Sequence, residues 1–405
     1  MTMNNGQKKL MLLGGLRYLI PVIEEAHRMG VYVITADYLP NNIAHQYSDE
    51  YVNVSITDKD AVLSAAKRLQ IDGILSHAVD PGVVAAAYTA EQMGLPFQCS
   101  YHSAQILQDK VLFRTFLNKN GFNCPHFVGI SSLNEALEAK KLFSYPIIVK
   151  PVDSAGSKGV TKVNGEGQFI EAVKNALKNS ISGRCIIEDF MDKLGSQSSA
   201  DVFTRKGQLV YSTYSDQLFD PNAANPFTPA VEIWPSTMEK TFQIELDKQL
   251  QRLATLLELR TGIYNVETRV CTDRKAYIME VSPRGGGNRI AELQSMATGQ
   301  NLIKAEIQKS LNMPIDQISA PKFDGVWCNY ILHSSQEGIF NGLVIEDSIR
   351  PFVRDISLIV STGDKVYPFT GANTSLGTMF LRFESRHQMD YELARMEQYI
   401  HILVK

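Results

Sequence analysis

Over the first hundred residues, short β-branched apolar runs alternate with stretches whose apolar positions recur every three or four residues. This is the pattern of βαβ units and a parallel sheet. Strands are expected at Lys9–Leu13, Val31–Ala36, Tyr51–Val54 and Gly73–Ser76, with helices at Leu19–Met29, Lys59–Leu69 and Gly82–Met93. One helical pattern then covers Ser103–Asn120 and stops at Asn123-Cys124-Pro125. A second alternating unit follows, with strands at 127–130, 146–150, 160–163 and 185–190 and helices at 133–142 and 168–179. A hairpin turns at Lys206-Gly207, and the four prolines between Asp220 and Pro235 mark a long loop of the kind that covers sites. A helix at 239–258, a hairpin and a helix at 299–311 come next. Beyond Met313-Pro314 the chain reads as β-rich, with turns at Gly342, Gly363 and Gly371 and a last helix at 391–399.

Composition adds exclusions. The 405 residues are 44% hydrophobic and 20% charged, which rules out a disordered or fibrous chain and fits about two to four domains. A net charge of -3 provides no field to draw the protein onto nucleic acid or an anionic membrane, so any phosphate binding must be local. The five cysteines are scattered and form no C-x-x-C pair, no apolar run reaches about 18 residues, and the eight histidines lack zinc spacing. A cytoplasmic protein acting on small molecules is the expectation.

The segment Gly262–Arg289 carries the most chemistry. A hairpin turned at Asp273-Arg274 sets Glu267 opposite Glu280 and Asn265 opposite Ser282. Alternation puts these four and Arg269 on one face and Val266, Val270, Tyr277, Met279 and Val281 on the other. Opposed carboxylates repel and call for a positive group between them, either a divalent cation or Arg269. The next residues, Pro283-Arg284-Gly285-Gly286-Gly287-Asn288-Arg289, must turn beside the acids, where arginines suit phosphate or carboxylate.

Lys150 ends a buried strand, an unusual place for an ammonium unless an anion meets it. The loop after it holds Ser154, Gly156, Ser157, Lys158 and Gly159, whose backbone N–H groups can approach phosphates, although it is not a P-loop. A mobile hairpin turn is the plainer alternative. The apolar strand Ile186-Ile187 ends in Glu188, Asp189, Phe190 and Met191, an edge able to read an adenine. Gly14-Gly15 with Asp37 faintly imitates a nicotinamide site but lacks the third glycine.

Together and in this order, Lys150, the 154–159 loop, the Ile187-Glu188 strand and the Glu267/Glu280 pair with Pro283-Arg284 resemble the ATP-grasp superfamily, in its branch containing biotin carboxylase and L-amino acid ligases. The resemblance implies an α/β (α+β) ATP-grasp fold with three parts. These are an N-terminal doubly wound parallel-sheet domain over 1–108, an ATP-grasp domain over 109–312 with a lid at about 124–190, and a C-terminal β-rich domain over 313–405. It implies that Lys110 and Lys150 contact the phosphates of ATP and that Glu188 to Met191 bind adenine. Glu267 and Glu280, joined by Ser282, would hold Mg²⁺ or Mn²⁺. Arg284 would stabilise the transferring phosphate, and Asn288 or Arg289 would face the acid. Ser282 stands where the family often has Asn, and Gln197 where it has an acidic ribose contact. The implied reaction is phosphorylation of a small carboxylate to an acyl phosphate that an amine attacks, in a protein expected as a homodimer. A non-catalytic nucleotide sensor and a carbamoyl-phosphate-synthase-like use of bicarbonate are the alternatives.

Overall fold

The computed structural model describes residues 6–154 and 156–405. The chain opens with β1 (Lys9–Leu13), α1 (Ile20–Arg28), β2 (Tyr32–Asp37), β3 (Glu50–Asn53), α2 (Lys59–Leu69), β4 (Gly73–Leu75) and α3 (Asp80–Met93). The strands form a parallel sheet in the order β3-β2-β1-β4. Strand β1 is buried on both faces: Met11 and Leu13 enter one core, while Leu10 and Leu12 enter another. That is why its sequence is a continuous apolar run.

The single helix expected at Ser103–Asn120 is two, α4 (Tyr101–Gln108) and α5 (Lys110–Lys119). Asp109 between them is extended, and its carboxylate caps α5 by accepting from Val111 N at 2.8 Å and Leu112 N at 3.0 Å. Next come β5 (Phe127–Ile130), α6 (Leu133–Ala139), β6 (Ile147–Pro151), β7 (Thr161–Val163), α7 (Glu166–Lys178) and β8 (Cys185–Asp189). They make an antiparallel sheet, β5-β8-β6-β7, on which Phe169 and Val173 of α7 pack.

The rest of the central region contains β9 (Ser198–Arg205), β10 (Gln208–Tyr211), β11 (Asp216–Phe219), β12 (Pro229–Trp234), α8 (Lys240–Leu256), β13 (Gly262–Val270), β14 (Ala276–Ser282), α9 (Ile290–Thr298) and α10 (Leu302–Ser310). The C-terminal part contains β15 (Val326–His333), β16 (Gly338–Ile345), β17 (Val353–Leu358), β18 (Lys365–Val366), β19 (Ser375–Phe383), α11 (Arg386–Leu393), α12 (Met396–Tyr399) and β20 (Ile400–Val404). One sheet runs β10-β9-β13-β14, a second runs β11-β12-β15-β19-β17, and a third runs β18-β16-β20.

Three expectations change here. The proline-bearing stretch Asp220–Pro235 is not all loop: β12 lies inside the five-stranded sheet, with Pro229 as its first residue and Pro235 just past its last, places where a missing N–H does little harm. That sheet also takes β11 and β12 from before residue 313, so the last ninety or so residues complete a sheet begun earlier in the chain. Finally, Ile290–Thr298 is a helix that the adjoining glycines conceal in the sequence, ended by Gly299 at φ 74°. Among the described residues no helix is long and apolar enough to cross a membrane.

Candidate active site

In the β13–β14 hairpin, Asn265 pairs with Ser282, Val266 with Val281 and Glu267 with Glu280, as the sequence led us to expect. The route to that register differs. The turn closes one residue earlier than expected, with Cys271 N donating to Lys275 O at 3.0 Å, and Thr268 therefore faces Ile278. A bulge at Met279 restores the step, because without it Glu280 would point to the opposite face. Val266, Ile278 and Val281 fill the core against α8, leaving the two acids together on the other side.

Burial, and then the like charge of Glu280, push Glu267 up to about 7. Lys110 Nζ stands 3.5 Å from Glu280 and donates to Ser154 O at 3.1 Å. Burial works against its charge, but Glu280, Asp80 and Glu267 outweigh that and raise its pKa. Arg269, the other candidate to neutralise the acids, is turned away and donates to Met191 O at 3.0 Å and to the Gln197 side chain. Among the described residues no group of three or more His, Cys, Asp or Glu is gathered to hold a metal. Two carboxylates that repel each other at a partly open site fit Mg²⁺, which takes one or two carboxylates and completes its shell with phosphate and water oxygens.

Ser282 is engaged otherwise than as a ligand: its hydroxyl donates to Asp80 Oδ1 at 2.7 Å and accepts from Gln108 Nε2 at 2.7 Å. Asp80 also receives Arg284, through Nε at 2.8 Å and Nη2 at 2.6 Å. The glycine-rich turn is clamped from behind, since Gly286 N donates to Asp201 at 2.8 Å and Asn265 Nδ2 donates to the same oxygen at 3.0 Å. A Cβ on Gly286 would sit 2.8 Å from Asn265 Nδ2, so only glycine fits. Asn288 and Arg289 follow at φ 51° and 61°. Arg289 bonds Glu292 at 2.9 Å and Asp355 at 2.6 Å above the Phe380 ring, and thus arrives already paired.

Lys150 does meet an anion, but from the protein: its Nζ is 2.6 Å from Glu188 Oε2, whose other oxygen is 2.7 Å from Arg114 Nε. Burial alone would raise the Glu188 carboxyl, but Arg114 and Lys150 override it and hold it at about 2. The Glu188 side chain is thus the centre of a buried ionic triad rather than a free adenine acceptor. At the neighbouring edge, Phe190 N donates to Pro146 O at 3.3 Å and Asp189 N to His126 O at 3.0 Å. Gln197, expected near a ribose, gives its amide to Gln217 at 2.9 Å.

The loop after Lys150 starts from an anchored base, where Asp153 accepts from Ser180, Ile181 and Ser182. Ser157 Oγ donates to Phe227 O at 3.1 Å, so this loop meets the 220–228 segment, and Lys158 is exposed between them. Gly159 is required, because its Cβ would lie 2.8 Å from Asn179 Cβ. Ala155 is outside the described residues. At the amino end, Asp37 accepts from Leu39 N and Asn42 Nδ2, closing a local turn instead of waiting for a ribose.

His77, Asp80, His102, Tyr214 and Asp216 are polar residues with the chemistry of substrate neighbours; of these, Asp80 holds Arg284 and His77 packs on Gly285. The others are elsewhere: His102 is exposed on α4, Tyr214 bonds Asp247, and Asp216 pairs with Arg386. Arg114, Asp201, Glu232 and Asn329 carried no sequence signal, since each is a single polar residue whose partners are distant in the chain.

A carboxylate pair, two half-buried lysines and a glycine-bearing loop lie together between two antiparallel sheets. Residues 143–292 match the family described as ATP-grasp domain, and the chain carries an ATP-grasp domain. It is 24% identical over 324 residues to formate-dependent phosphoribosylglycinamide formyltransferase of Prochlorococcus marinus (strain MIT 9515), covering 78% of this chain and 79% of that one. The fold is similar to L-amino acid ligase from Bacillus licheniformis, with a TM-score of 0.82, 20% identity and coverage of 99% and 100%. It is also similar to phosphoribosylglycinamide synthetase from Anaerococcus prevotii, with a TM-score of 0.75, 19% identity and coverage of 98% and 100%.

Proposed function

We propose that the protein is an ADP-forming ligase that phosphorylates a small carboxylate with Mg·ATP and transfers the activated acyl group to an amine. The observation that carries this reading is the Glu267–Glu280 pair with Lys110 3.5 Å from Glu280 and Arg284 held beside it. The similar proteins, a formate-dependent transferase, an amino-acid ligase and a synthetase, support it.

Glu267 and Glu280 would hold Mg²⁺, or Mn²⁺ in its place; the cation neutralises phosphate charge and orients it. Phosphoryl transfer is mainly positioning and electrostatic stabilisation, which is the work available to Lys110, Lys150 and Arg284. Lys150 serves from a fixed place because Glu188 holds it at 2.6 Å. Closure of the 154–159 loop against the 220–228 segment excludes water from the acyl phosphate. Asp189 to Met191 at the strand edge would meet the adenine, and Ser282, bound to Asp80, would stand beside the metal-holding pair. We place the activity in the cytoplasm, where the five free cysteines stay reduced, and in a homodimer.

The test is a phosphate-release screen of many acids with many amines in the presence of Mg·ATP. Acid-dependent ADP release is expected; nucleotide binding without acid-dependent turnover across a broad panel would favour a sensor instead.

A further inference from the structure

The 156–159 stretch of the glycine-bearing loop is held by residues far from it in the chain. Ser157 Oγ donates to Phe227 O at 3.1 Å, and Asn225 Nδ2 donates to Ser157 O at 3.4 Å. The same Asn225 amide donates to Thr370 O at 3.1 Å, and Asn225 N donates to Phe369 O at 3.2 Å. A Cβ built on Gly371 would stand 3.4 Å from Gly156 O, so the loop and the 369–374 turn lie against each other. One side chain therefore bridges the loop to the C-terminal part of the protein.

The two sides of the bridge differ in firmness. Phe369 is 1% exposed, packs with Ala230 and Ile331, and stacks on the His333 ring with centroids 4.3 Å apart. Its N donates to Ser334 O at 3.0 Å. Thr374 closes the turn beyond it, accepting from Thr370 N at 2.9 Å and donating its own N to Gly371 O at 3.0 Å. Asn225 is oriented in the same way, since its Oδ1 accepts from Phe227 N at 3.0 Å. Against this fixed catch the loop offers the Ser157 carbonyl and hydroxyl, with Lys158 exposed beside them. Hydrogen bonds that are partly open to water contribute little singly, so such a bridge can release the loop and take it again. The base of the loop is anchored separately through Asp153, so β6 need not move when the bridge opens.

We propose that Asn225 is a positioning residue that latches the 156–159 stretch to the 369–374 turn, so that the C-terminal part controls how long the nucleotide and the acyl phosphate stay covered. The identity of what is covered rests on the ligase reading above; the latch itself rests on the contacts. With the latch open, water attacks the carbonyl carbon of the acyl phosphate and the carbon–oxygen bond to the phosphate breaks. The carboxylate, inorganic phosphate and a proton are released, and the ATP is spent without a product.

The experiment uses the full chain and two variants. Asn225→Ala removes the side-chain bridge, while Asn225→Asp keeps the acceptor for Phe227 N and puts an oxygen where Nδ2 met two carbonyls. Trypsin cleavage after Lys158 is followed by mass in the presence of Mg·ADP, with cleavage after Lys206, exposed in the β9–β10 turn, as the internal reference. Cleavage after Lys158 should be at least about fivefold faster in both variants, because proteolysis follows the population of the opened form. Cleavage after Lys206 should not change. Equal rates after Lys158 in natural and variant chains overturn the inference, and so does a rise that Lys206 shares, which would mean general loosening. The second readout uses hydroxylamine as the amine, with each acid that supports ADP release. Hydroxamate formed per ADP should fall about threefold or more in the variants as water competes for the acyl phosphate; an unchanged ratio overturns the covering role. Absence of hydroxamate with every acid sinks the ligase reading, and the cleavage rates then still decide the latch. Should Asn225→Asp fail to fold, Asn225→Ala carries both readouts.

Discussion

Asp80 at the start of α3 grips Arg284 with both carboxylate oxygens, at 2.8 Å from Nε and 2.6 Å from Nη2, and takes the Ser282 hydroxyl on the same oxygen that meets Nε. The N-terminal domain thereby aims the arginine that we assign to the transferring phosphate. In the Asp80→Asn variant the guanidinium stays buried without its counter-charge, a change expected to cost about 3 kcal/mol of stability. The turnover number should fall about 100-fold, with half-saturation by ATP little changed because Lys110 and Lys150 remain. Denaturant unfolding and ADP-release kinetics check both, and an unaltered turnover number would show that Arg284 needs no such support.

Glu280→Gln separates catalysis from stability. Losing one of two opposed carboxylates should lower ADP formation by at least about 100-fold. The metal-free protein should not melt earlier, because repulsion with Glu267 is relieved. The thermal shift on adding Mg·ATP should shrink. A lower melting midpoint with unchanged ADP formation would refute the metal-holding role.

Lys150 and Lys158 are expected to differ in kind. Lys150→Met leaves buried Glu188 with Arg114 alone, so about 3 kcal/mol of stability should go along with nearly all activity. Lys158→Ala, at an exposed loop position, should leave the melting midpoint unchanged and cost less than about tenfold in kcat/KM. Equal losses in the two would mean that the phosphate contacts lie on the loop.

His77 offers a test by pH. Burial, and then the Arg284 charge, pull it down from 6.5 to about 4. Its folded pKa lies below the unfolded one, so its contribution is complete above about pH 6.5 and disappears as pH falls toward 4. Relative to His77→Gln, the natural chain should therefore lose about 3 kcal/mol across that window. Parallel stability curves would contradict the buried placement.

The sequence alone determined the alternation of strands and helices in the first domain, the lysine-ended strand, the glycine-bearing loop and the opposition of Glu267 to Glu280. Each is a local pattern: period and turn position decide which face a side chain takes. Even there the agreement had help, because the earlier turn and the Met279 bulge offset each other. Tertiary structure alone decided who partners the buried charges. Glu188 lies 74 residues from Arg114 and Asp80 lies 204 from Arg284, so no spacing rule could join them. The same holds for β12, whose prolines read as loop until β11 and β15 paired with it and set Glu232 beside Asn329. Burying a charge obliges the fold to supply its partner, and that partner comes from whichever element packs nearest in space, not in sequence.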